Sequence, residues 1–286
     1  MRFFSTLLLA SASLGALAIP ARLNETDLND LAALEFASTA EHFPLTELEK
    51  RSLEERAAAS GVVTTCKTPG QIALTFDDGI YTYGHDIAAT LTKNKVKGTF
   101  FVNVNNWACL YDNADELIAR YKAGHVIGSH TGTHPDIATL TPAQLNKQLD
   151  IVETALQKIL GVKPRLFRPP YGSVSQANMD VLKKRGYVVA NWAYDSGDAA
   201  SKAPAQTIKE YNALSVKKSY ITLNHETHES TSKQVIPTVV PALIKKGFKL
   251  VDLGTCLGVS PYQSVGKAGK RDSTWTCKNV PAPGQT

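Results

Sequence analysis

Two short runs hold most of the side chains that could do chemistry. The first is Thr75-Phe76-Asp77-Asp78-Gly79, in which two carboxylates stand side by side. Neighbouring residues of a regular strand point to opposite faces, so both carboxylates can serve one site only where a strand ends. Gly79 supplies the freedom to turn there. Alone, Asp-Asp-Gly would be an ordinary turn. The second run, Ser129-His130-Thr131-Gly132-Thr133-His134-Pro135, changes that reading. Two histidines four apart can present both imidazoles to one metal ion. Gly132 within the run and Pro135 after it argue against a regular helix, since a residue before proline avoids the α region. The run therefore reads as a binding loop. One carboxylate and two imidazoles, with positions left for water, form the donor set of a catalytic zinc site, one that cobalt or nickel could also occupy.

Three further runs carry groups suited to acid–base work. Arg168-Pro169-Pro170-Tyr171-Gly172 is a rigid turn that holds an arginine and directs backbone N–H groups inward. Asp195-Ser196-Gly197-Asp198 and Leu223-Asn224-His225-Glu226 follow it. Each is weak alone, and together, in this order, they are specific. His85, His125 and His228 read as structural or surface residues, and Trp107 and Trp192 as either ligand-stacking surface or buried packing.

The elements between these runs place them at strand ends. From Gln71 onward short β-like segments alternate with helical patterns, with strands predicted at Ile72–Phe76, Thr99–Val102, Val126–Gly128, Arg165–Phe167, Tyr187–Ala190, Tyr220–Leu223 and Lys249–Val251. The clearest helix starts at Thr141, with Pro142 in its first turn and Leu145, Leu149, Val152, Leu156 and Ile159 spaced by threes and fours until Gly161 ends it. Gly124, Gly186 and Gly247 read as similar stops. Seven strand–helix units imply a parallel sheet with helical crossovers, either a barrel or a doubly wound sheet. In both, reactive groups belong at the C-terminal ends of the strands, where all five runs fall.

Composition narrows the class. The chain has 286 residues, 43% hydrophobic and 20% charged, enough for one large α/β domain and unlike a disordered chain, a collagen or a coiled coil. A net charge of +5 is too mild and too scattered to indicate a nucleic-acid partner. Residues 1–18 read as a secretory signal peptide, with Arg2, an apolar stretch from Phe3 to Leu17 and Ala16-Leu17-Ala18. Residues 19–51 differ in composition and end in Lys50-Arg51, so they read as a removed pro-segment. Without residues 1–51 the chain carries 27 basic and 19 acidic residues, a modestly basic +8. No later segment is apolar enough to span a bilayer, and the polar stretch from Pro281 to Thr286 lacks a lipid-anchor signal. A secreted monomer, extracellular or in the cell wall, is expected. Its four cysteines should form two disulfides, for which three connectivities exist. Cys66 precedes the first strand and Cys256 follows the last. Pairing them would tie the ends of a barrel together and leave Cys109 for Cys277.

Over most of Cys66 to Leu257 the sequence resembles the polysaccharide deacetylase family (carbohydrate esterase family four), in particular its secreted fungal chitin deacetylases. Thr-Phe-Asp-Asp-Gly at 75–79, His-Thr-Gly-Thr-His at 130–134, Arg-Pro-Pro-Tyr-Gly at 168–172 and Leu-Asn-His at 223–225 carry the resemblance. It implies a distorted (β/α) barrel of about seven parallel strands, with a catalytic domain over residues 61–286 ending in a disulfide-tied tail. The implied activity is metal-dependent hydrolysis of N-acetyl groups on chitin or chitooligosaccharides. An acetylxylan esterase, a peptidoglycan deacetylase or an inactive wall-binding barrel are the alternatives. Carried over residue by residue, Asp78, His130 and His134 would hold a divalent ion, most simply Zn2+ with Co2+ as the substitute. Asp77 would be the general base, His225 the general acid and Asp195 the group orienting that acid. Arg168 would buttress the base, and the Tyr171 backbone N–H would help stabilise the oxyanion. The sequence departs from the family where Asp198 is followed by Ala199 rather than Trp, and where His225 is followed by Glu226 rather than Asp. The first departure bears on one wall of the sugar groove, and the second lies beside the acid.

Overall fold

Short apolar strands and amphipathic helices alternate because glycines and prolines punctuate the chain at the expected places. The helix from Thr141 shows how local these decisions are. The Thr141 hydroxyl accepts from the Gln144 N–H, the Gln144 side chain accepts from the Thr141 N–H, and Pro142 opens the first turn. Gly161, at φ 73°, closes the helix in the left-handed region that a β-carbon disfavours.

The computed structural model describes residues 61–286. The segments expected to be a signal peptide (residues 1–18) and a pro-segment (residues 19–51) lie outside the described residues. Within them the strands are β1 (Gln71–Ala73), β2 (Thr75–Gly79), β3 (Thr99–Val102), β4 (Val126–Ser129), β5 (Val162–Pro164), β6 (Leu166–Phe167), β7 (Val188–Val189), β8 (Tyr194–Asp195), β9 (Tyr220–Leu223), β10 (Lys249–Val251) and β11 (Tyr262–Val265). The α-helices are α1 (Gly84–Lys93), α2 (Ala114–Lys122), α3 (Pro142–Leu160), α4 (Gln176–Lys184), α5 (Pro204–Ala213), α6 (Ile236–Lys246) and α7 (Leu253–Leu257).

The fold is mixed α/β with parallel sheets, as expected, and its strands divide between two of them. One has the order β2-β3-β4-β6-β7, the other β10-β1-β9-β8, and every pairing in both is parallel. Only Leu74 separates β1 from β2, so one extended segment passes from the second sheet into the first. Elsewhere an isolated parallel bridge at Asp77–His225 joins the two, and Val63, ahead of β1, bridges Ala190 just after β7. The predicted strands at 99–102, 220–223 and 249–251 match the observed ones, and the single predicted strand 72–76 is the β1–β2 segment. Three strands went unpredicted: β5, β8 and β11. β11 lies antiparallel on β5, starting the C-terminal segment back across the molecule.

The core lies between sheet and helices. Phe76 and Phe100 stack at 5.1 Å, and Ile72, Leu91, Leu156, Val239 and Leu243 pack around them, all buried. Both disulfides join the anticipated partners, Cys66 with Cys256 and Cys109 with Cys277.

Candidate active site

Five strand ends converge on one site. The sharpest local feature is backbone: among the described residues, six non-glycine residues have φ in the left-handed region. Four of them, Asp78 (69°), Thr131 (69°), His134 (62°) and Tyr171 (59°), are at the site. Conformations of this kind cost on the order of 1–3 kcal/mol each and survive only where the surroundings over-determine them. The turn at the end of β2 is therefore made by Asp78. Gly79, expected to supply it, is needed for space instead: a β-carbon there would lie 2.5 Å from the Glu226 carboxyl. Gly132 is a second such case, since a β-carbon would approach the Ile151 side chain at 2.8 Å and prevent the histidine loop from lying against α3.

Asp77 is buried, 2% exposed, at the end of β2. One oxygen, Oδ1, accepts from Arg168 Nη1 at 2.9 Å, while Oδ2 lies 3.9 Å from His130 Nε2. Arg168 is wholly buried, and each of its guanidinium nitrogens donates a hydrogen bond. It donates to Thr75 Oγ1 (2.6 Å), Ala190 O (3.0 Å) and Asn191 O (3.1 Å), and it lies over the Phe101 ring at 4.5 Å. So the arginine fixes one carboxylate oxygen and leaves the other facing the histidines. Burial pushes the Asp77 carboxyl up to about 6, against the opposing pulls of Arg168 and His225. Arg168 pulls the carboxyl down, but burial outweighs it.

Asp78, His130 and His134 come together as expected. Asp78 Oδ1 is 3.2 Å from His134 Nε2 and 3.6 Å from His130 Nε2, and the ligand atoms form one of two candidate metal-binding groups among the described residues. His130 Nδ1 donates to the Arg168 carbonyl at 2.8 Å, which fixes its tautomer and turns the Nε2 lone pair into the site. Burial, reinforced by the neighbouring His134, holds His130 well below the ordinary histidine value. Burial also lowers His134. Both imidazoles are thus neutral near pH 7, as metal ligation requires. Asp78 Oδ1 is buried and has no hydrogen-bond donor. A buried carboxylate oxygen without a donor, beside two neutral imidazole nitrogens, fits a divalent cation.

The acid side differs from the expectation in one residue. His225 follows β9, and its Nδ1 bonds Asp198 Oδ1 at 2.7 Å while its backbone N–H donates to Asp198 Oδ2 at 2.7 Å. Asp195, expected to orient His225, does not do so. It sits within β8 with its Oδ1 accepting from the Gly197 N–H at 2.8 Å, and the turn at Gly197 brings Asp198 to the histidine instead. Asp198 also accepts from the Thr231 hydroxyl (2.7 Å) and the Ala199 N–H (2.9 Å). Burial alone would raise the Asp198 carboxyl, but the bonds from His225 and Thr231 bring it down to about 2. Burial likewise opposes a charged His225. The Asp198 bond and charge, with Asp77 and Asp78, reverse that and push His225 up to about 9. The second candidate metal group, Asp198, His225 and His228, has its carboxylate and His225 Nδ1 already committed to each other, so it reads as the acid's support.

The two departures acquire meanings. Glu226 points away from the site: its Oε2 pairs with Arg120 Nη1 at 2.6 Å and its Oε1 accepts from the Tyr81 N–H at 2.8 Å, all within the core. Ala199 leaves the flank of Asp198 without an indole. Trp192 is half-buried behind Arg168, at 5.6 Å, whereas Trp107 is 55% exposed with Tyr81 edge-on at 5.5 Å. Tyr171 is 58% exposed and its ring meets His134 edge-on at 4.8 Å. His125 is the structural residue expected, its Nδ1 accepting from the Gly98 N–H. His228, expected to be incidental, meets His225 edge-on at 5.8 Å.

Known proteins share this arrangement of chain. The family described as polysaccharide deacetylase matches residues 64–190, a span holding Asp77, Asp78, both loop histidines, Arg168 and Tyr171. A chitin deacetylase of Colletotrichum lindemuthianum is 36% identical over 208 residues, covering 70% of this chain and 84% of that protein. A peptidoglycan-N-acetylglucosamine deacetylase of Bacillus cereus is 30% identical over 187 residues, covering 64% of this chain and 66% of that one. The solved structure of the Colletotrichum chitin deacetylase superposes with a TM-score of 0.68 at 35% identity, over 71% of this chain and 96% of that one.

Proposed function

The chain belongs to the polysaccharide deacetylase family, and from that premise we propose that it hydrolyses N-acetyl groups of chitin or chitooligosaccharides, releasing acetate and leaving glucosamine units. One observation carries the reading. A buried carboxylate with one oxygen clamped and the other free faces the imidazole pair, and a histidine held protonated by its own carboxylate lies beside it. Hydrolysis of an amide needs that division of labour, a base for the water and an acid for the amine.

Asp78, His130 and His134 would hold the divalent cation, for which two imidazoles and a carboxylate suit Zn2+, with Co2+ as a substitute. When bound, such an ion supplies Lewis-acid polarisation and makes a water more acidic. Asp77 Oδ2 takes a proton from the attacking water while Arg168 keeps the carboxylate from rotating. As the new C–O bond forms, negative charge collects on the acetyl oxygen, and the Tyr171 N–H is placed in our reading to donate to it. The C–N bond then breaks with a proton delivered from His225 Nε2 to the amine, the Asp198 carboxylate compensating the cation until the proton leaves. Two aspartates are required because a carboxylate bound to a cation is a poor proton acceptor.

The disulfides fit an oxidising compartment, and among the described residues no helix is long and apolar enough to cross a membrane. We place the protein outside the cell or in the wall, acting as a monomer on a polysaccharide, its catalytic domain being residues 61–286. The Bacillus cereus relative makes peptidoglycan the second substrate to consider. Acetate release from chitooligosaccharides, acetylxylan and peptidoglycan separates the readings. Release from the chitin oligomers in preference to the others is expected. No release from any, with metal bound, would mean a wall-binding protein.

A further inference from the structure

The loop that carries His130 and His134 needs more support than its own strand provides. Thr131 and His134 both hold left-handed backbone without being glycine, and a loop in that state relaxes unless its neighbours forbid it. On its inner side the loop rests on α3 through one buried side chain. Gln148 Oε1 accepts from the Thr133 N–H at 3.0 Å. That oxygen is spoken for, so the amide's other end must find an acceptor, and Gln148 Nε2 donates to the Gln285 carbonyl at 2.9 Å.

Gln285 lies in the C-terminal segment, which reaches the loop from far away. After β11 the chain passes the end of α3, where the Gly269 N–H donates to Lys158 O and Lys158 Nζ donates to Thr274 Oγ1. Trp275 is buried against Tyr111, and the Cys277–Cys109 disulfide fixes the segment to the loop after β3. From there Pro281 O accepts from Asn105 Nδ2 at 2.8 Å, the Gly284 N–H donates to Thr133 O, and Gln285 O accepts from the Thr133 hydroxyl. Asn105 belongs to the same structure, because the backbone N–H groups of Val104 and Asn105 both donate to Gly132 O, at 2.8 and 2.9 Å. The segment thus grips the histidine loop directly at Thr133 and indirectly through Gln148 and Asn105.

We propose that residues 277–286, anchored by the Cys109–Cys277 disulfide, act as a strap that holds the His130–His134 loop in its ion-binding conformation, with Thr133, Gln148 and Asn105 as positioning residues. Without the strap the buried Gln148 amide loses its acceptor, the Thr133 hydroxyl and carbonyl lose partners, and the strained loop gains alternatives. The proposal rests on Asp78, His130 and His134 being the metal ligands. Supporting groups behind metal ligands change affinity by roughly 10–100-fold when removed, which sets the scale expected here.

The test is Co2+ binding, measured by competition with a chromogenic chelator and by the visible absorption of bound Co2+. It compares the intact protein with a form ending at Val280, which keeps the disulfide. Affinity should fall roughly tenfold or more, with an altered Co2+ spectrum, while the Tm of the metal-free protein stays above the assay temperature. Gln148→Leu in the full-length chain cuts the link from within and should weaken Co2+ in the same direction. It also decides the matter if the shortened form does not fold. Co2+ affinity within twofold of the intact protein in Gln148→Leu and in a folded shortened form would overturn the strap, even if Tm fell. An intact protein that takes up no Co2+ would overturn the ligand assignment itself, and the strap with it.

Discussion

The base side and the acid side of the site are built from the same materials and tuned in opposite directions. Each has a buried aspartate paired with a cationic side chain, Asp77 with Arg168 and Asp198 with His225. Asp77 is pushed up to about 6, chiefly by burial, and Asp198 lies at about 2. The difference is in how many donors each carboxylate receives. Arg168 spreads its N–H groups over Thr75 and two carbonyls, giving Asp77 only one bond, and Asp78 next door adds like charge. Asp198 collects donors from His225 twice, from Thr231 and from Ala199. A sparsely bonded carboxylate can take up a proton and release it. A saturated one remains an anion and, with Asp77 and Asp78, holds His225 protonated well above its ordinary value.

That contrast can be broken from either side. The largest effect is expected at the centre: Asp77→Asn should lower kcat by roughly 10³-fold or more, since it removes the proton acceptor. Metal content, measured by elemental analysis, should stay near one ion per chain. An empty site in that variant would exchange the roles of Asp77 and Asp78. His130→Ala and His134→Ala should each lose bound metal and activity together while the far-UV circular dichroism is retained, and full activity in either would refute the ligand assignment. Asp198→Asn should cost about 10–100-fold in kcat, whereas Asp195→Asn should cost only a few-fold, because Asp195 spends its oxygen on a local turn. Thr231→Val sharpens the comparison most finely. It removes one of the four donors to the Asp198 carboxylate and leaves both bonds from His225 in place, so the change in kcat should be several-fold at most.

Much of this site was legible in the sequence because it depends on strand ends. Asp77 and Asp78 lie in the last residues of β2, His130, His134, Arg168 and His225 follow strands marked by apolar runs, and α3 is marked by Thr141, Pro142 and Gly161. The orienting carboxylate was not, because β8, Tyr194-Asp195, carries no apolar run to announce it, unlike the equally short Leu166-Phe167 and Val188-Val189. With no strand there, Asp195 and Asp198 both read as loop residues, and only the turn at Gly197 decides between them. The available signal was Asp198 itself, the residue that the family follows with Trp and this sequence with Ala199. Gly79 was read as a hinge because packing against Glu226 depends on a side chain 147 residues later. The path of the C-terminal segment was equally hidden. Cys277 hinted at an anchor, but Gln285 meeting Gln148 is a tertiary fact with no local pattern.

The pH dependence of kcat/KM reads the acid directly, because proton delivery needs His225 charged. Activity should fall on the acid side as Asp77 or the metal ligands take up protons, and on the alkaline side as His225 loses its proton near 9. A bound cation pulls the acid limb below the value of about 6 to which burial, against Arg168 and His225, pushes Asp77, so the alkaline limb is the cleaner reporter. With metal bound in all forms, Asp198→Asn should move that limb down by about one unit or more, since it removes the charge and weakens the bond that raise His225. Asp195→Asn should leave it in place. An alkaline limb that stays put in Asp198→Asn, or that moves only in Asp195→Asn, would contradict the assignment of His225 and Asp198 as the acid pair.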